Sequence, residues 1–217
     1  MNNRLSSHLF WGSHSPFSAL TGSALIILAS SRLAFALICA AALIWVYGLT
    51  TLIFTASRRI MPSNRRMIIL LFLSSFLCAF FMIFLGLINP LLVFGTVFFL
   101  LLIPPCCLGS GFFEALESVD PAEATSRALL EAITLSGIII AFALIREPLG
   151  MGTLSLPGGF QGVIELFNAG ELEAFVPLRI LSVSGGGLLL LGYATALYRY
   201  LRERTGSVPR DMLEGKR

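Results

Sequence analysis

Charge is scarce in this sequence: 15 Lys and Arg and 12 Asp and Glu make up only 12% of its 217 residues. With 56% hydrophobic residues and a mean hydropathy of +0.87, a chain of this length cannot hide its apolar surface in one soluble core. A soluble globular protein is thereby excluded. Also absent are a Walker phosphate loop, a dinucleotide fingerprint, a His-Glu metal helix and a hydrolase elbow, which argues against a self-contained soluble-type active site. Nucleic acid is not an expected partner, whereas membrane lipid is. The four cysteines, Cys39, Cys78, Cys106 and Cys107, sit in apolar surroundings and do not form the spacing pattern of a secreted disulfide framework. Near the start Arg4 is the one cation and no clear cleavage pattern follows, so the first apolar run reads as a structural element rather than a leader.

What the sequence does have is long apolar runs. A membrane span needs roughly 20 apolar residues, fewer if the helix is broken. The cleanest runs are Leu33 to Ala56, Met67 to Ile88 and Leu178 to Tyr198. Pro90 to Ile103 is shorter and ends in Pro104-Pro105-Cys106-Cys107, and Ala132 to Ile145 is preceded by Glu131 in its expected first turn. Pro16 to Ser30 is short and rich in small polar residues, which suits an interrupted element. The expected fold is an all-α integral membrane protein with six transmembrane elements, the first and fourth short or broken. Residues 1–217 form one polytopic domain. Its halves, roughly 10–88 and 90–201, hold three elements each, so they insert in opposite senses as inverted repeats do. A basic tail, 202–217, follows.

Orientation follows from the cations, because short cytoplasmic loops retain Lys and Arg. Arg58, Arg59, Arg65 and Arg66 crowd one loop, and Arg199, Arg202, Arg204, Arg210, Lys216 and Arg217 fill the tail. Both are expected on the cytoplasmic side, which with six elements puts the N-terminus there too. The loop from Glu147 to Pro177, with Glu165, Glu171 and Glu173 and no Lys or Arg, is then extracytoplasmic. Its glycines disfavour continuous helix.

Few residues carry chemistry. Ile145-Arg146-Glu147-Pro148-Leu149-Gly150-Met151-Gly152-Thr153-Leu154 places a charged pair and two glycines at a span's edge. Charged residues there are functional candidates by default, and the plain alternative is a helix stop with a snorkelling arginine. Pro104-Pro105-Cys106-Cys107-Leu108-Gly109-Ser110-Gly111 interrupts an apolar helix and offers two thiols. Thiolates are the usual ligands of iron-sulfur clusters, but a cluster takes four, so one chain does not complete a site; packing at a kink is the alternative. His14 in Trp11-Gly12-Ser13-His14-Ser15-Pro16 is either a surface residue or a metal ligand. Gly185-Gly186-Gly187 permits close helix contact.

Three blocks of this sequence resemble the RnfE/NqrD family, the six-helix membrane subunits of the Rnf and Na+-translocating NADH:quinone oxidoreductase complexes. Leu144-Ile145-Arg146-Glu147-Pro148-Leu149-Gly150-Met151-Gly152-Thr153-Leu154 looks like the family's L-R-E-x-x-G-x-G-T-L signature. Cys107 followed by Gly111, Glu114 and Ala115 is similar to its N-C-x-x-x-G-R-A-E-A block, with Cys106 for the Asn and Phe112 for the Arg. Pro177 through Gly185-Gly186-Gly187 to Leu201 resembles its Gly-rich last helix.

The resemblance implies a subunit of a bacterial inner-membrane translocase that couples electron transfer between ferredoxin or NAD(H) and an acceptor to Na+ or H+ movement. It also implies an A-type (RnfA/NqrE-like) partner subunit sharing a 2Fe-2S cluster, with Cys107 as the ligand from this chain. The family's first cysteine, in an L-G-x-C-P block, is missing here; Gly12-Ser13-His14-Ser15-Pro16 stands in its place. His14, Ser15 or Cys106 is then the second ligand. Without a cluster, the implied role is scaffold and ion path, with Arg146 and Glu147 at its mouth. The alternative expectation is a small secondary transporter or permease component built from inverted repeats.

Overall fold

The computed structural model describes residues 16–57, 66–109, 120–158, 162–168 and 178–204. In chain order the elements are α1 (Pro16–Ala29), α2 (Leu33–Ser57), α3 (Arg66–Ile88), α4 (Pro90–Leu100), α5 (Ile103–Gly109), α6 (Pro121–Met151), β1 (Thr153–Pro157), β2 (Val163–Asn168), a 3-10 turn (Arg179–Leu181) and α7 (Ser184–Arg204). The chain is mostly helical. Among the described residues, four helices are long and apolar enough to cross a membrane: α2, α3, the α4–α5 rod over Pro90–Leu108, and α6. Helix α1 is shorter, and α7 is not among the four.

Helix α2 is the centre. It buries residues on every side, from Leu33 and Ala36 through Cys39, Leu43 and Tyr47 to Phe54, as a helix apolar all round must. Its main neighbour is α6, which turns inward a row of small side chains at Ala124, Ala128, Ala132, Ser136 and Ala143. Small residues one turn apart let two backbones approach closely, and dispersion then holds them without any help from water. Helix α3 gives the bundle only one stripe, Leu70, Ser74, Leu77, Cys78 and Leu85. Phe72, Phe76, Phe80 and Phe84 face outward on its other side, a surface suited to lipid rather than water.

The expected break in the fourth element is present but displaced. Asn89 opens α4, its side-chain oxygen accepting from Leu91 N at 3.0 Å, with Pro90 in the first helical position. The helix interrupts at Leu101–Leu102, and Pro104 and Pro105 fall in the first turn of α5, where a missing N–H is tolerated. Continued helix would have bonded the Leu100 carbonyl to an N–H at position 104, which proline lacks. The Cys78 thiol donates to that carbonyl instead, at 3.1 Å.

Two expectations are corrected. The chain is not all-α, because β1 and β2 form an antiparallel hairpin that pairs Thr153 with Asn168 and Pro157 with Val163, with an irregularity between Leu154 and Ser155. The fifth element begins at Pro121, well before Ala132, so Glu131 lies almost three turns inside α6 rather than in its first turn. The added turns are stabilised by an i,i+4 pair, Arg127 Nη2 to Glu123 Oε1 at 2.6 Å. At 1.5 Å per residue, α6 is about 46 Å long, well beyond a hydrocarbon layer of roughly 30 Å. Its two ends therefore meet different surroundings.

Candidate functional site

The C-terminal end of α6 is a joint between four pieces of backbone. Arg146 is 2% exposed, and all five of its N–H groups are taken. Nε donates to Leu181 O at 2.8 Å. Nη1 donates to the Ile27 carbonyl and, at 3.3 Å, to Ser30 Oγ. Nη2 donates to the Ser182 and Val183 carbonyls, each at 3.1 Å. Ile27 lies in the last turn of α1, where carbonyls have no partner within the helix and the macrodipole is negative. The Leu181 to Val183 carbonyls belong to the turn that leads into α7. One guanidinium thus closes the end of α1 and fixes the start of α7. Gly187 makes room for it, since a Cβ there would lie 3.1 Å from the guanidinium carbon.

Glu147 serves the opposite helix end. It is wholly buried, and Leu33 N donates to its Oε2 at 2.6 Å, while Thr153 Oγ1 lies 3.5 Å from Oε1. Leu33 opens α2, whose first N–H groups have no acceptor within the helix and whose dipole favours negative charge. Ser155 Oγ accepts from the next donor, Ala34 N, at 3.4 Å. The expected Arg146–Glu147 ion pair does not form: adjacent residues on a helix point apart, and each finds helix-end groups instead.

Both glycines of the same block are needed. Gly152 ends α6 with φ 70°, its N–H donating to Pro148 O at 2.9 Å, a left-handed turn that other residues adopt at a cost. A Cβ on Gly150 would stand 2.9 Å from Ser182 N. The turn before α7 is held there by Leu178 N donating to Leu149 O at 2.8 Å.

The cysteines gather elsewhere. Cys39, Cys78, Cys106 and Cys107 form no disulfide and belong to one buried core cluster that also holds Tyr47. Cys107 is wholly buried, and among the described residues no three His, Cys, Asp or Glu side chains stand together as a ligand group. His14, Ser15 and Glu114 lie outside the described residues.

Along the first half of α6 lies a cavity of about 610 Å³, between Gly22 of α1, Tyr47 of α2, Cys106 of α5 and the α6 face carrying Arg127, Glu131, Thr134 and Ile138. Sequence inspection passed over it because Glu131 reads as the edge of a helix. The signal was present in the four-residue spacing of Glu123, Arg127 and Glu131, which extends one helix through the charged segment. No family model and no curated protein matches the sequence.

Proposed function

We propose that the chain is an RnfE/NqrD-type membrane subunit of an Rnf-like ion-translocating oxidoreductase complex in a bacterial inner membrane. Its contribution is assembly, and the complex as a whole couples electron transfer between ferredoxin or NAD(H) and an acceptor to Na+ or H+ transport. The observation that carries the reading is that the resembling block, Arg146 to Gly152, is one joint binding α1, α2, α6 and the start of α7. A signature of this kind serves subunit architecture when its polar atoms are taken up by groups of the fold, most of them backbone. The six crossings in inverted halves and the cytoplasmic termini belong to the same proposal, supported by Arg58, Arg59, Arg65 and Arg66 between the second and third elements.

The test is co-purification. Expressed with an A-type membrane paralogue, the tagged chain should bring that subunit down in constant ratio, and expressed alone it should be degraded. Stable, monodisperse chain that ignores the paralogue would overturn the proposal. The second reading, a small transporter or permease component, is favoured by one observation, the cavity beside Glu131.

A further inference from the structure

The hairpin leaves a cavity of about 460 Å³ against the start of α2 and the first turn of α4, within the range of roughly 300–1,000 Å³ that ligand sites occupy. It is lined by Arg32, Phe35, Leu91, Leu92, Val163 and Glu165. The floor is fixed, because Phe35 lies over Gly95, where a Cβ would stand 3.0 Å from its ring, and packs against Phe99 with ring centroids 6.0 Å apart. The walls are fixed too. Arg32 immediately precedes α2, Glu165 is the register partner of Ser155 in the hairpin, and Ser155 Oγ accepts from Ala34 N. Among the described residues neither the Arg32 guanidinium nor the Glu165 carboxylate enters a hydrogen bond or an ion pair, although both line the same space. An anion there would be repelled by Glu165 and a cation by Arg32. A ligand with a phosphate and an ammonium on one short stem satisfies both, the guanidinium taking the phosphate oxygens in its planar fork.

Helix α4 marks where the rest of such a ligand lies. Leu91, on the cavity wall, begins an exposed stripe that continues through Phe94, Phe98 and Leu101. These residues are three or four apart and so share one helix face, over about 15 Å. The cavity sits at the ends of helices long and apolar enough to cross a membrane, the level at which phospholipid headgroups meet their acyl chains. We propose that it binds the headgroup of an ethanolamine phospholipid, with Arg32 on the phosphate, Glu165 on the ammonium and one acyl chain along the stripe from Leu91 to Leu101. The proposal goes beyond the complex-subunit reading and does not rest on it.

Equilibrium binding of dihexanoyl phosphatidylethanolamine to the purified full chain in detergent tests it, beside dihexanoyl phosphatidylglycerol and phosphoethanolamine without acyl chains. Saturable binding of the ethanolamine lipid is expected. The glycerol lipid has the phosphate and lacks the ammonium, so it should bind about tenfold more weakly. Phosphoethanolamine should bind about tenfold or more weakly for want of apolar contact; affinity equal to the lipid's would make the ligand a soluble phosphate ester and overturn the lipid proposal. Glu165→Gln should remove the preference between the two lipids, and Arg32→Gln should weaken both by about tenfold. Equal binding of the two lipids by the parent chain, a preference that survives Glu165→Gln, or unaltered binding in Arg32→Gln would overturn the proposal. Failure here leaves co-purification with the paralogue unaffected, so the two readings fall separately.

Discussion

The two ends of α6 treat charge in opposite ways. At the C-terminal end Arg146 and Glu147 are buried, yet every guanidinium N–H and both carboxylate oxygens meet a group fixed by the fold. Almost three turns in from the N-terminal end, Glu131 borders a cavity of about 610 Å³. The first arrangement is closed by the fold's own groups, and the second stands beside open volume. An apolar span with ionisable residues at both ends therefore holds the same residue types in two different settings.

The strongest way to break this contrast is to remove the occupied charge. Arg146→Met should destabilise the chain by at least about 3 kcal/mol, because each buried acceptor left without a donor costs roughly 1–3 kcal/mol. Thermal unfolding in detergent would read it, and Arg146→Lys should recover only part, an ammonium having three donors for five acceptors. Gly186→Ala should cost about 1–3 kcal/mol by overpacking, since its Cβ would fall 1.9 Å from Ile180 O. A melting temperature equal to the parent's would mean that the turn before α7 yields freely. Glu147→Ala should cost about 1–2 kcal/mol as a lost helix cap, with faster amide exchange at Leu33 and Ala34 than at mid-α2.

Smaller effects sharpen the comparison. Cys78→Ala should cost about 1 kcal/mol by depriving the Leu100 carbonyl of its donor, and Cys78→Ser should restore most of it; equal melting of the two variants would assign Cys78 to packing alone.

Much of the helical layout was legible in the sequence because apolar length alone decides it. The runs Leu33 to Ala56 and Met67 to Ile88 match α2 and α3 to within a residue at each end, and the short first element matches α1. What failed was local. Hydropathy stops at Glu131, but helix propensity and the Glu123–Arg127 pair carry α6 ten residues further toward its start. The double proline suggested where α4 would break, yet a proline perturbs the turn before it, and the interruption lies at Leu101–Leu102. The hairpin was missed because Gly158 and Gly159 signal a turn without naming what flanks it. The importance of Arg146 and Glu147 was legible, but their partners were not. Most of those partners are backbone groups, from 35 to 119 positions away, and the sequence does not display them.

That separation has a consequence for how the protein is made. The turn joining α1 to α2 is complete only when residues 114 and 119 positions later arrive. During synthesis the first hairpin therefore waits with unmatched carbonyl and N–H groups at its apex until α6 has left the ribosome. A nascent chain stopped before Arg146 exposes that apex, and quality control in the membrane has a built-in mark of incompleteness to read.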